Sequence, residues 1–196
     1  MGQSRRLLGV VLVLVLATVG CGGTGSGNIV SETREVGSFD RIEVSSGIAV
    51  EVTADPAAPQ GLTSIYDENL QDMIITEVTG DTLVIEVRGN VIAPGSDRMV
   101  KVAMPVLVGL LADGGASVYG VGTADQLELR AQGGATVDFE DMTVQTLDVE
   151  LDGGSKATVN PLLAITGRIA GGAALTLTKS PTSRDLDVSG GGQVSG

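Results

Sequence analysis

A Gly-Gly pair recurs through the second half of the chain, starting at Gly114, Gly133, Gly153, Gly171 and Gly190, with spacings of 19, 20, 18 and 19 residues. Nothing else in the sequence restricts the fold as much. Two, four and six residues before each pair stand Ala112, Leu110 and Val108, then Ala131, Leu129 and Leu127, then Leu151, Val149 and Leu147, then Ile169, Gly167 and Ile165, and finally Val188 and Leu186. Two and four residues after the first glycine stand Ala116 and Val118, Ala135 and Val137, Ser155 and Ala157, Ala173 and Leu175, Gly192 and Val194. The residues between are mainly polar. Alternation at period two means strands with one buried face. A unit of this length cannot bury that face alone, so units must stack on one another. The expected fold is all-β: a single-domain parallel β-helix (β-solenoid) with rungs of about 19 residues, spanning 29–196.

A two-residue hairpin at each diglycine would pair the residue two before with the residue three after. That second position holds Ser117, Thr136, Lys156, Ala174 and Gln193, while the apolar residues sit one place earlier. Register excludes that hairpin; a three-residue loop satisfies it and stays open. An outward column supports stacking. Three residues before the pairs, Arg130, Glu150, Arg168 and Asp187 form a ladder of alternating sign when the repeats lie side by side.

The N-terminus carries an address. Arg5 and Arg6 precede an apolar run from Leu7 to Ala17, followed by Thr18-Val19-Gly20-Cys21. A basic start, a short apolar stretch and small residues at the cut make a secretory signal over 1–20, and the apolar run is too short to span a bilayer. Gly20-Cys21 resembles the lipobox of bacterial lipoproteins, with Thr18 departing from the usual leucine. Acylation of Cys21, the chain's one cysteine, anchors such a protein in the lipid bilayer. Gly22–Gly27 completes a Gly/Ser-rich tether over 21–28. The expected location is the cell envelope: exported, lipid-anchored to the cell membrane or outer membrane.

Composition narrows function further. The chain has no His and a single Cys, which removes intramolecular disulfides, Ser-His and Cys-His catalysis and His-ligated zinc. Its formal charge of −12 becomes −14 when residues 1–20, with Arg5 and Arg6, are removed. That surface repels phosphate backbones, so no nucleic-acid partner is expected. With two Tyr, two Phe and no Trp, the core must be thin and built from Val, Leu, Ile and Ala.

The first half is less regular. Ile42, Val44, Ile48, Val50 and Val52 alternate around Ser45-Ser46-Gly47, and Leu83–Val87 and Val100–Val102 read as strands. Ala54–Gly61 reads as a loop. Leu70, Met73 and Ile74 have helical spacing, but β-branched residues follow at once, so a strand is expected there and no helix anywhere in the mature chain.

Gly25–Asn28, Arg34–Val36, Phe39–Val44, Asp67–Leu70, Leu83–Val87 and the Gly-rich repeats, in that order, resemble the putative auto-transporter adhesin, head GIN domain family over nearly all of 27–196. The resemblance implies a right-handed β-solenoid in an exported, often lipidated protein, and it brings no catalytic or binding residue.

Asp113 and Asp152 share one outward position two repeats apart, with Gln132 between, at a separation of ~10 Å by strand spacing, in or just past the range used by inverting glycosidases. Asp also favours turns before Gly, the simpler reading. Glu128, Asp148 and Asp185 share a column with Thr166 that attracts a divalent cation at most weakly, and the nonapeptide of calcium-binding β-rolls is absent. No Gly-rich stretch continues into the Lys-Ser/Thr of a phosphate loop. The leading expectation is a non-enzymatic, membrane-anchored surface-interaction module without cofactor, meeting a cell-surface macromolecule or glycan. The alternatives are a carbohydrate-active enzyme using Asp113 and Asp152, and a stacking element that self-associates end to end.

Overall fold

The computed structural model describes residues 23–92 and 97–196. Three long strands, Ser117–Ala131, Thr136–Leu151 and Lys156–Ile169, each run from one diglycine to the next. They pair in parallel with their neighbours, so equivalent residues of successive repeats lie side by side. One such column reads Leu83, Ile42, Leu110, Leu129, Val149, Gly167, Leu186. A column on the other side of the turn reads Val100, Val50, Val118, Val137, Ala157, Leu175, Val194. The segments on either side of a diglycine pair in parallel with their counterparts one repeat away and never antiparallel across the turn, which disposes of the hairpin alternative. The described residues are all-β, with every strand except Gly23–Thr24 and Val91–Ile92 in one large sheet.

Each diglycine is a tight turn. The Ala116 N–H donates to Asp113 O at 3.1 Å, and Ala135, Ser155, Ala173 and Gly192 repeat the bond. Both glycines of every pair have positive φ, 55–62° at the first and 78–84° at the second. The two differ in surroundings. A Cβ on Gly153 would lie 2.9 Å from the backbone N of Gly133 in the preceding turn, whereas one on Gly154 would meet nothing within 4 Å. The first glycine is there for conformation and for space, the second for conformation alone.

The alternation around Ser45-Ser46-Gly47 is a further repeat of the same kind, separated in sequence from the others. Arg41–Val44 pairs in parallel with Gly109–Ala112, and Ala49–Ala54 with the first residues of Ser117–Ala131. Residues 55–108 are thus inserted between two stacked repeats. In this outlying turn Ser46 stands where the others have glycine, and it is the one non-glycine with positive φ among the described residues (64°). A Cβ there works against the left-handed conformation by about 1–2 kcal/mol, partly offset by the chain entropy glycine adds to the unfolded state. Ser46→Gly is expected to raise stability by roughly 0.5–1 kcal/mol, read as a higher urea midpoint at unchanged m.

The insertion changes the strand direction. Ile29–Arg34 runs antiparallel to Gly61–Asp67, which is antiparallel to Met99–Met104; Ile74–Thr79 and Thr82–Val87 form an antiparallel pair. The sheet is therefore mixed, and the expectation of parallel pairing throughout 29–196 fails here. Antiparallel strands fold back over the first end of the stack and cover it. Two further expectations fail. Glu68–Met73 is a short 3-10 helix where a strand was expected; it buries Leu70 and Gln71, and the strand begins only at Ile74. Gly23–Thr24, expected in a flexible tether, pairs in parallel with Val91–Ile92.

The core is the expected thin one. Ile42, Leu83, Leu129, Val149 and Ile165 are buried, while Gly167 and Leu186 further along the Val149 column are only partly so. Phe139, its largest fully buried side chain, occupies space that a Cβ on Gly120 would invade, 2.5 Å from the ring. Val188, assigned inward by its alternation, is 45% exposed on the edge strand Ser183–Val188. Arg184 follows Leu127, Leu147 and Ile165 in their column, and there it is exposed.

Candidate functional site

The parallel register turns outward residues into rows. On one face the alternating ladder stands as expected: Arg130, Glu150, Arg168 and Asp187 are neighbours strand to strand. Arg130 lies 3.7 Å from Glu150 and 2.7 Å from Glu128. Glu128 also accepts a 3.1 Å bond from Arg41, two strands away. Arg41 reaches it by lying across Gly109, where a Cβ would sit 2.6 Å from the guanidinium. Hydrogen bonds from Arg41 and then Arg130 hold the Glu128 carboxyl below its ordinary pKa. The acidic column Glu128, Asp148, Thr166, Asp185 is in register, but its first member is engaged by arginines. Among the described residues no group of three acids, His or Cys is placed to hold a metal ion.

Asp113 and Asp152 are turn residues. Each carboxylate accepts from the N–H of the glycine that follows it, Gly114 and Gly153 (the latter at 2.7 Å). The Asp113 carboxylate also accepts from Gln132 Nε2 at 3.1 Å. These bonds fix the corners and engage both oxygens of Asp113 and Oδ1 of Asp152.

The strands on the other side of the diglycine turns hold a feature the sequence reading missed. Tyr119 is 39% exposed, and its hydroxyl donates to Asp141 Oδ2 at 2.8 Å. The bond to Asp141, burial, and the charges of Asp141, Asp138 and Glu51 raise the phenol pKa. Beside it lies an open groove of about 340 Å³, lined by Ala49, Glu51, Met99, Ser117, Thr136 and Asp138 among others. Its components come from four separate stretches of chain on strands that lie side by side, with Glu51, Tyr119 and Asp138 adjacent in register. Lys101 closes the row, 3.1 Å from both Glu51 oxygens. A scan for paired acids passes over Tyr119; its phase did mark it, as an aromatic at an outward position beside inward Val118.

A second polar centre lies inside the covered end. Asp67 is fully buried; it accepts from Arg98 Nε, from Arg98 Nη2 at 3.1 Å and from the Gly27 N–H at 2.6 Å. Its pKa is lowered to about 2, by the Arg98 hydrogen bond first. Burial pushes neighbouring Tyr66 up to about 12. Buried Gln71 accepts from Ser64 Oγ at 2.7 Å and from Arg34 Nη2 at 3.1 Å, which ties the 3-10 helix to two strands. Because the folded pKa of Asp67 lies below the ordinary carboxylate value of about 3.9, its contribution to stability is complete above that value and is lost as pH falls towards 2. Thermal midpoints measured between about pH 4 and pH 2 are expected to fall more steeply for the wild type than for Asp67→Asn.

Cys21, the expected lipidation residue, lies outside the described residues. No helix among the described residues is long and apolar enough to cross a membrane.

No curated protein matches the chain. Among solved structures, it is similar to a putative adhesin from Bacteroides fragilis (TM-score 0.57, 16% identity, 88% of this chain and 98% of that one). It is also similar to a putative lipid binding protein from Parabacteroides distasonis (0.44, 15%, 89% and 99%) and a putative adhesin from Parabacteroides merdae (0.46, 14%, 89% and 98%). At these identities the first likeness is one of fold, and the other two carry no argument. The family model described as putative auto-transporter adhesin, head GIN domain matches residues 38–121 and 108–181, which together span the mixed first part and most of the diglycine repeats. The chain therefore belongs to the putative auto-transporter adhesin, head GIN domain family.

Proposed function

We propose that this protein is an exported, lipid-anchored component of the cell envelope whose domain, a right-handed parallel β-helix with rungs of about 19 residues, is a non-catalytic surface-interaction module. The observation that carries the reading is the Tyr119 groove, an exposed aromatic ring beside carboxylates on a broad outward face. An aromatic surface with polar groups at its edge suits a cell-surface macromolecule or glycan, since the ring supplies rigid contact area and the carboxylates accept hydrogen bonds. Family membership agrees with a role outside the cell. Handedness and anchoring rest on the family resemblance and the lipobox. The carbohydrate-active alternative lacks support, because Asp113 and Asp152 are committed to their turns. End-to-end stacking draws on the exposed strand Ser183–Val188, but Arg184 in the inward column and outward Asp185 and Asp187 guard that strand.

Panels of surface glycans and matrix proteins, presented to the wild-type protein and to Tyr119→Ala, test the reading. Loss of the ring is expected to weaken binding about tenfold, or about 1.4 kcal/mol, with the thermal midpoint unchanged because the side chain is outward. A panel on which the wild type binds nothing, or binds as Tyr119→Ala does, removes this face from the function.

A further inference from the structure

The stretch that follows the lipobox is fastened to the body almost at once. Gly23–Thr24 pairs with Val91–Ile92, and the Gly23 N–H donates to Asn90 O at 3.0 Å. Asn69 Nδ2 donates to Thr24 O at 2.9 Å, and the Ser26 N–H to Asn69 Oδ1 at 3.0 Å. The Gly27 N–H donates to buried Asp67, Asn28 Nδ2 donates to Glu68 Oε2 at 2.8 Å, and the Glu68 N–H returns to Asn28 O at 2.9 Å. Gly25 lies so close to Asp67 that a Cβ would sit 2.6 Å from Oδ1. A run of glycine and serine that reads as slack is thus a clamped strap, and its glycines allow close approach.

We infer that the domain is seated directly on the bilayer by its covered end, with no mobile tether, an inference that rests on the anchored reading of Cys21. One residue, Gly22, separates Cys21 from the first paired residue. Two residues of extended chain reach at most about 7 Å. The acyl chains of a lipidated cysteine lie in the hydrocarbon, and the cysteine itself lies at the headgroups. The headgroup region therefore meets the 3-10 helix Glu68–Met73 and the neighbourhood of Asn90, which pack around Gly23. The column from Leu83 to Leu186 climbs six strand steps, roughly 29 Å at ~4.8 Å each, so the last repeat stands clear of the membrane. The acidic surface opposes lying flat on anionic lipid. The seat sets how far the Tyr119 face stands from the membrane and in which direction it points.

The test uses the full chain, lipidated in a bacterial host and reconstituted into phosphatidylcholine vesicles containing some headgroup-nitroxide lipid. Acylation consumes the Cys21 sulfur, so Asn90→Cys, Asp72→Cys and Gln193→Cys each supply one thiol for a fluorophore. Labels at 90 and 72 are expected to lose most of their emission, and the label at 193 to keep it. A long Gly-Ser insertion between Gly22 and Gly23 should restore emission at 90. Vesicle-bound protein whose near sites are as bright as site 193, or whose insertion variant is quenched like the parent, overturns the seating alone. A wild-type chain that fails to float with vesicles, or a Cys21→Ser chain that floats equally well, overturns the anchored reading and the seating together.

Discussion

Val149→Asp is expected to leave no cooperative unfolding transition at room temperature, whereas Thr136→Asp should unfold within about 0.5 kcal/mol of the wild type. Val149 is fully buried in the column between Leu129 and Gly167. Replacing it removes about 1.5–3 kcal/mol of apolar burial. It also leaves a carboxyl group among aliphatic side chains with no donor to satisfy it, and that penalty brings the total above roughly 4 kcal/mol. A domain with a core this thin has little stability to spare. Thr136 lies two residues beyond a diglycine, exposed and next to Lys156 on the adjacent strand, so an added carboxylate there meets water and a cation. Chemical denaturation of both variants, followed by circular dichroism, checks the pair. Similar losses in both would show that the inward and outward columns have been misassigned.

The two glycines of one turn are expected to differ sharply. Gly154→Ala costs about 1–2 kcal/mol, the usual penalty for a Cβ at positive φ. Gly153→Ala carries the same strain and adds a clash, because its Cβ would come 2.9 Å from the Gly133 backbone in the turn beneath. Backbone held in a parallel ladder on both sides cannot yield as a flexible side chain would. A loss of roughly 3 kcal/mol or more is expected at Gly153. The same geometry recurs at Gly133, 2.9 Å from Gly114 N, and at Gly171, 2.8 Å from Gly153 N. Differential scanning calorimetry of the two single variants decides the point. Equal midpoints would mean that the turns are not packed on one another, and the stacked arrangement would lose its main energetic signature.

Much of the architecture was legible in the residues because stacking is a periodic constraint. A fixed spacing of Gly-Gly pairs, with alternating apolar residues on either side, leaves one register in which every inward residue meets another. The columns through Leu129 and Val137 are that register. The charged ladder Arg130, Glu150, Arg168, Asp187 was legible on the same logic, since outward neighbours are fixed once inward ones are. The turn around Ser46 was harder to see as a repeat. Ser in place of Gly hides the pair, and an insertion of 55–108 breaks the period, although Ile42, Val44, Ile48 and Val50 keep the phase of Leu110, Ala112, Ala116 and Val118.

Local sequence determined which residues point inward and where the chain must turn, because those depend on spacing along one repeat and on the left-handed backbone that glycine accepts. The groove at Tyr119, the clamp on Gly23–Asn28 and the pairing of Asp67 with Arg98 were decided only by the tertiary structure. The clamp and the Asp67–Arg98 pair join residues from stretches with no common period, while the groove adds Glu51 and Met99, from either side of residues 61–79, to the periodic Tyr119 and Asp138. A glycine run that reads as slack becomes a strap once a buried carboxylate and a strand end lie within hydrogen-bonding reach of it, and no pattern within the run itself records that.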